Sequence, residues 1–143
     1  MDTLSIAERS RLMSRVGAKN TAPEMIVRRR LHAAGLRFRL HRGDLPGSPD
    51  IVLPRRRIAV FVHGCFWHGC PRCDRGRRRP TSNETFWSAK LDVNRARDAE
   101  AQRRLRDLGW QVLVVWECIA RSPDTLNEAI RPLIEHLPAE ARP

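Results

Sequence analysis

Four stretches of the chain have the apolar spacing or the end signals of helices. They are residues 5–16, residues 22–34, a long polar stretch from Ser82 or Asn83 to about Leu108, and residues 123–136. The second stretch begins with the capping-box pattern Thr21-Ala22-Pro23-Glu24 and ends at Gly35. The last stretch opens with Ser122-Pro123, a cap followed by a proline in the first turn.

Four shorter stretches have the pattern of strands. Residues 36–40 alternate with period two, whereas residues 58–62 and 110–116 are apolar on both faces. Residues 50–53 precede a Pro-Arg turn and predict a hairpin with 58–62. Residues 64–82 lack any periodicity and predict a loop. This order of elements predicts an α/β fold with a mixed central sheet flanked by helices.

Length and composition exclude several classes of protein. A chain of 143 residues with 41% hydrophobic and 30% charged side chains can bury the core of one domain, which excludes disorder for most of it. Its apolar runs are much shorter than the ~18 residues that span a membrane. Its first residues lack the basic and apolar regions of a signal peptide. We therefore expect a cytoplasmic protein.

Positive charge is in large excess. The chain has 27 Lys+Arg against 16 Asp+Glu, a formal net charge of +11. Arginine triplets occur at 28–30, 55–57 and 77–79. A genome of biased composition would also raise the arginine content, but discrete clusters favour a partner rich in phosphates, such as a nucleic acid.

The four cysteines predict a metal site. Cys65, Cys70 and Cys73 lie within nine residues, and Cys118 follows just after a predicted strand. In a cytoplasmic chain this spacing favours a tetrahedral zinc site over disulfides. A redox pair and a chance pair are the alternatives. In another alternative, a nearby histidine replaces one cysteine as ligand.

Two histidines and two acidic residues are candidates for catalysis. His63 and His68 lie in the cysteine-rich loop, where a neutral imidazole can accept or donate a proton near pH 7. Asp50 begins a strand and suits a Mg²⁺ ion that also contacts phosphate oxygens. Glu24 fits a helix cap and an active site equally well. The other histidines, His32, His41 and His136, are assigned to the surface or to helix faces.

Two adjacent aromatic residues, Phe66 and Trp67, stand between Cys65 and His68. Exposed aromatic rings on a basic protein can stack on bases or wedge into a base step, and Trp87 is a candidate to join them. The alternative is that these rings cover the zinc site.

Several segments, taken together, closely resemble one enzyme family. They are residues 46–50 (PGSPD), 61–68 (FVHGCFWH), 86–87 (FW) with Asn94 and Asp98, and 108–118. This combination is similar to that of the Vsr family, the very-short-patch DNA mismatch endonucleases. The resemblance extends from about residue 10 to residue 137.

The resemblance implies a fold like that of type II restriction endonucleases, with a structural zinc site added. It implies Mg²⁺-dependent nicking on the 5′ side of the thymine in a T:G mismatch, which arises when 5-methylcytosine is deaminated. It divides the chain into a DNA-contacting arm (1–20), an endonuclease domain (21–137) with a zinc loop (63–80), and a tail (138–143).

Matching positions assign roles to individual residues. Asp50 resembles the acidic Mg²⁺ ligand, with the backbone carbonyl of Val62 as a second contact. His68 resembles the general base that activates water, assisted by His63 and Glu24. The side chains that match those inserted into DNA are Phe66, Trp67 and Trp87 on the major-groove side, and Met13 and Val16 on the minor-groove side.

The chain departs from related patterns at two places. Restriction-type nucleases usually have an acid-x-Lys motif on the second core strand, where this chain and the Vsr family have Phe-Val-His. The family often supplies a histidine to zinc where this chain offers Cys70, so the proposed ligands are Cys65, Cys70, Cys73 and Cys118. A site of four thiolates is chemically sound.

Two other functions stay open on sequence grounds. One is a restriction-type nuclease that cuts matched DNA, and the other is a zinc-stabilised DNA-binding module without catalysis. The resemblance further implies a monomer near the nucleoid of a bacterial cell, a functional link to a cytosine-5 methyltransferase, and cooperation with the repair protein MutL.

Overall fold

The structure, a computed structural model, describes residues 20–68, 70–74 and 84–135. The predicted helix over 5–16, the tail and almost all of the DNA-contacting arm lie outside these ranges. In chain order the elements are α1 (Ala22–Ala33), β1 (Arg39–Leu40), β2 (Ile51–Leu53), β3 (Ile58–His63), α2 (Cys65–His68), α3 (Glu84–Asp107), β4 (Gln111–Trp116), α4 (Glu117–Ala120) and α5 (Pro123–Glu135).

The four strands form one mixed sheet in the order β1-β2-β3-β4. The first three strands pair antiparallel, with Ile51 opposite Val60, and β4 pairs parallel to β3, with Val62 opposite Val115. The predicted hairpin and mixed sheet are therefore confirmed. Because a parallel neighbour requires a crossover, the chain makes the long excursion through α3 between β3 and β4.

Helices cover both faces of the sheet, which explains why every residue of β3 is buried. One core cluster packs α1 and α5 against one face, through Val27 and Ile130 and alternate β3 residues such as Val60. The second cluster packs Leu105 of α3 against Phe61 on the opposite face. Since side chains alternate along a strand, His63 lies on the same face as Phe61 and α3.

Helix α1 begins and ends where the sequence predicts. The Thr21 hydroxyl accepts a hydrogen bond from the Glu24 N–H at 3.4 Å, and Pro23 stands in the first turn. Gly35 follows the helix with φ +80°, and the Leu36 N–H returns to the Leu31 carbonyl. A left-handed glycine after the last turn is a common helix terminus.

Two predictions of local structure are corrected. Residues 36–38 are not a strand: the period-two pattern reflects Leu36 and Phe38 packing against the first core cluster, and β1 is only the exposed pair Arg39 and Leu40. The predicted loop contains the helical turn α2. Although α3 has 24 residues, no helix in the described ranges is long and apolar enough to cross a membrane.

Candidate active site

A cavity of about 950 Å³ opens where β2 begins and β3 ends. The first turn of α1 forms one side of it, and the middle of α3 forms the other. The titratable side chains along its wall include all four predicted catalytic residues and two others. These residues are Glu24, His41, Asp50, His63, His68 and Asp98.

Asp50 is fixed against β3. Its Oδ2 accepts a hydrogen bond from the Val62 N–H at 2.8 Å, across the hairpin that brings the two residues together. Burial raises the pKa of the Asp50 carboxyl to about 7, the charge of Glu24 adds to this rise, and the Val62 N–H opposes it. The contact observed is with the Val62 N–H, and the contact of its carbonyl with Mg²⁺ stays a prediction.

Glu24 is almost fully buried, with 2% of its surface exposed. Its side chain does not complete the capping box at the Thr21 N–H, because it accepts from the Asn20 N–H instead, at 3.2 Å. It also forms an ion pair with Arg28, and each of its carboxylate oxygens lies 3.1 Å from Nε2 of His41. Glu24 is therefore both a helix-terminus residue and part of the cleft wall.

His41 is not a surface residue as predicted. Its side chain is 18% exposed and forms a group with Glu24 and Asp50 whose ligand atoms lie within 4.8 Å of one another. Carboxylates and an imidazole at such distances could hold a divalent cation. Sequence periodicity gave no signal here, because the partner Glu24 is 17 residues away.

His63 and His68 stack face to face, with ring centroids 3.9 Å apart and planes at 5°. The His68 Nδ1 lies 2.5 Å from Oδ2 of Asp98, and this hydrogen bond leaves the lone pair of a neutral ring on Nε2. Burial lowers the pKa of His63 to about 4, with His68 adding to the effect, so His63 is neutral at pH 7. Its buried Nδ1 has no hydrogen-bond partner among the described residues.

The four cysteines converge beside this cleft. Their Sγ atoms lie within 4.8 Å of one another, and those of Cys70 and Cys118 are 3.9 Å apart. A tetrahedral site with Zn–S bonds of about 2.3 Å separates its sulfurs by about 3.8 Å. Burial raises the pKa of the Cys65 and Cys118 thiols because it disfavours their thiolate forms. A bound cation would offset this effect by stabilising the thiolates. The cluster is compatible with a zinc site.

The aromatic residues are brought together only in part. The ring of Phe66, in α2, meets the ring of Trp87, in α3, edge to face at 5.7 Å. Phe86, beside Trp87, is 46% exposed. The side chain of Trp67 and all of Met13 and Val16 lie outside the described residues, so their predicted DNA contacts stay predictions.

Comparison with known proteins identifies the family. The family model described as DNA mismatch endonuclease Vsr matches residues 1–75. A relative named type II nicking enzyme V.XorIIP, from Xanthomonas oryzae, is 48% identical over 94% of this chain and 97% of its own. The chain belongs to the Vsr family.

More distant Vsr relatives agree with this assignment. Type II nicking enzyme V.NmeAIP of Neisseria meningitidis is 36% identical over 95% of this chain and 96% of its own. DNA mismatch endonuclease Vsr of Escherichia coli is 39% identical over 85% of this chain and 77% of its own. These names confirm the predicted enzyme class, a DNA endonuclease, and the predicted family.

Sequence patterns assigned no role to two residues that line the cleft, Asp98 and His41. Asp98 belongs to the segments that carry the family resemblance, but no role was predicted for it. It lies one helical turn after Asn94 on a polar helix, so the spacing puts both on one face of α3. That face lines the cleft. His41 had no comparable signal.

Proposed function

We propose that this Vsr-family protein is a Mg²⁺-dependent endonuclease that nicks duplex DNA on the 5′ side of the thymine in a T:G mismatch. The observation that carries the proposal is the convergence of half-buried Asp50 with the His63–His68 stack in one open cleft. The net charge of +11 favours a polyanionic substrate. The names of the relatives, nicking enzymes and a mismatch endonuclease, agree with it.

The donors around Asp50 suit Mg²⁺. This ion prefers carboxylate, carbonyl and water oxygens, and the Asp50 carboxylate, assisted by the Val62 carbonyl, would hold it. A cation held there would neutralise charge on a phosphate in the cleft and would stabilise the negative charge that develops on hydrolysis. With a pKa raised to about 7, the Asp50 carboxyl is only partly ionised near neutral pH, and a bound cation would favour its ionised form.

His68 is suited to the role of general base. Asp98 accepts the Nδ1–H of His68 and orients the ring, so that Nε2 can take a proton from an attacking water. The Asp98 carboxylate then stabilises the positive imidazolium that results. His63 packs flat against the base and fixes its plane, and neutral His63 adds no competing charge. Glu24 assists from its position beside Asp50.

Aromatic side chains near the cleft would insert between base pairs and so discriminate by how easily a pair unstacks. We assign this role to Phe66, Trp67 and Trp87 on the major-groove side and to Met13 and Val16 on the minor-groove side. A T:G wobble pair costs less free energy to unstack than a matched pair, so a wedge discriminates between the two. Helix α3 lines the cleft with Lys90, Asn94 and Arg97. These side chains are suited to face the duplex.

We also assign a structural Zn²⁺ to Cys65, Cys70, Cys73 and Cys118, because four clustered thiols match its preferred donors. A monomer in the bacterial cytoplasm, a cytosine-5 methyltransferase that creates the need for repair, and cooperation with MutL complete the proposal. These parts rest on the family resemblance.

The catalytic part is tested with an end-labelled duplex that contains one T:G pair. Asp50→Ala should lower the Mg²⁺-dependent nicking rate by about 10³-fold or more, because the cation loses its main ligand. Asp44→Ala is the matched control, since Asp44 is 63% exposed and pairs with Arg42. Equal rates for Asp50→Ala and the wild type would contradict the proposal.

A further inference from the structure

His41 links two acidic residues of the cleft, Asp50 through its main chain and Glu24 through its side chain. It follows β1 directly, and its N–H donates to the Asp50 carbonyl at 3.1 Å. Its backbone has φ +47°, a left-handed conformation that non-glycine residues adopt infrequently. This turn carries the chain out of the sheet and brings the imidazole back over the first turn of α1.

The side chain of His41 reaches the carboxylate of Glu24. Its Nε2 lies 3.1 Å from both oxygens of Glu24. Because a carboxylate has no proton to donate, Nε2 must carry the hydrogen of this bond. The main-chain bond to Asp50 and the side-chain bond to Glu24 thus come from one residue.

Glu24 depends on such donors for its orientation. It is 2% exposed, so little water is available to solvate or reorient its charge. Arg28, whose side chain is only 12% exposed, binds the same carboxylate from one turn further along α1. The Arg28 guanidinium also lies 3.3 Å from Nε2 of His41. Arg28 therefore supplies the neutralising charge, while His41 supplies the link to the Asp50 segment.

We propose that His41 is a positioning residue for the nuclease reaction. By holding Glu24 through Nε2–H and the Asp50 segment through its N–H, it fixes the separation of the two carboxylates at the cation site. The inference rests on the proposed function, because Asp50 is the residue assigned there to the divalent cation and Glu24 is assigned there to assist beside it. It adds a residue to which sequence analysis gave no role.

Substitutions can separate the side-chain bond from the backbone turn. His41→Asn and His41→Gly both suit a left-handed backbone, but neither carries a donor long enough to reach Glu24. His41→Gln is the conservative variant, because its amide nitrogen occupies nearly the position of the imidazole Nε2. If His41 acted only through its left-handed backbone, the His41→Asn and His41→Gly variants would behave like the wild type.

The test combines nicking kinetics on a T:G duplex with Mn²⁺ binding to the free protein, followed by electron paramagnetic resonance. We expect His41→Asn and His41→Gly to lower kcat by about 10- to 100-fold and to weaken Mn²⁺ binding by about 10-fold. The KM for DNA should change less than about 3-fold, and His41→Gln should recover most of kcat. Unchanged kcat and Mn²⁺ affinity in the Asn and Gly variants would overturn the inference.

A double-mutant cycle then tests whether His41 acts through Glu24. In a Glu24→Gln background, His41→Asn should cause little further loss of kcat, because the bond is already weakened. A further loss of the full size would overturn the inference. If the wild type does not nick T:G DNA, the proposed function fails, whereas the Mn²⁺ titrations of the same variants still decide the role of His41.

Discussion

At the scale of single residues, the cleft combines groups whose charged forms burial disfavours. Asp50 is a carboxyl group beside a second carboxylate, and His63 is an imidazole with no hydrogen-bond partner for its Nδ1 in the described part of the chain. Such groups cost stability unless a ligand compensates them. A cation at Asp50 would compensate the ionised carboxylate. The pH dependence of stability in the Mg²⁺-free protein therefore measures how strongly the fold disfavours this charge.

Asp50→Asn should stabilise the Mg²⁺-free protein at alkaline pH. The folded-state pKa of Asp50 is raised to about 7, above its ordinary value, so the folded state binds this proton more tightly than the unfolded state. The resulting stability is complete below about pH 4 and is lost as pH rises through 7. We expect the variant to gain about 2 kcal/mol at pH 8, in urea unfolding, and nothing at pH 4.

The matched control for this experiment is Asp44→Asn. Asp44 is exposed and its pKa is lowered by the hydrogen bond from Arg42, so its removal should give no gain at pH 8. An equal gain for both variants at pH 8 would show that the gain does not come from the environment of Asp50 and would contradict the prediction.

Asp98→Asn should slow nicking without weakening DNA binding. The amide still accepts a hydrogen bond from His68, but it no longer stabilises the imidazolium that forms when His68 takes a proton. We expect kcat to fall by about 10²-fold, with KM within about 3-fold, in steady-state nicking assays. Asp92→Asn, on an exposed position of the same helix, is the control and should match the wild type.

At the scale of elements, the segment before β2 packs tightly against α3. Gly47 has φ +74°, and a Cβ on it would lie 2.7 Å from the Cβ of Ala101 and 3.2 Å from the Phe61 ring. Helix α3 and the Asp50 segment therefore meet across a glycine. This contact sets the position of Asp98 relative to Asp50.

Gly47→Ala should lower the free energy of unfolding by about 2–3 kcal/mol, through backbone strain and overpacking against α3. Gly43→Ala is the control, because a Cβ there meets nothing within 4 Å and its φ is not positive. Denaturant unfolding of both variants measures the difference. If the two cost the same, the close contact of the Asp50 segment with α3 is wrong.

Sequence patterns predict these elements only where the signal is local. Each of these signals spans only a few residues: the Thr21 cap, the Gly35 terminus and the apolar run of β3. They predict α1 and the hairpin correctly. The α2 turn has no such local signal, and its Cys65 contacts Cys118, which lies 45 residues beyond Cys73.

The same limit applies to the candidate site. Sequence motifs indicated Asp50, His63 and His68, and the structure brings them to one cleft. The partners of these groups could not be predicted, because His41 meets Glu24 across 17 residues and Asp98 meets His68 across 30. Such contacts follow from tertiary packing, which leaves no periodic pattern in the sequence.

At the scale of the whole molecule, the cysteine cluster ties the segment after β3 to the segment after β4. Three cysteines come from residues 65–73, and Cys118 comes from α4. The parallel strand pair and the α2 turn that carries His68 are therefore joined at the same edge of the cleft. A metal there would stabilise the fold and the site together.

Removal of zinc should lower both stability and activity. We expect about one Zn²⁺ per chain by elemental analysis, and a fall in Tm of roughly 10 °C or more after chelation, because structural zinc contributes directly to folding. Zn²⁺ should restore the Tm and Mg²⁺ should not. Cys118→Ser should lose the metal. A chelated protein with unchanged Tm would exclude a structural zinc site at these cysteines.

Competition between T:G and T:A duplexes tests the central claim most directly. The two duplexes are identical except for the mismatch, carry distinct labels on both strands, and react together with Mg²⁺ and the wild-type protein. We predict one nick, 5′ to the thymine of the T:G pair, on that strand only, with at least about 10²-fold preference over T:A. Equal cleavage of T:A, cutting of both strands, or tight binding without a nick would contradict the account.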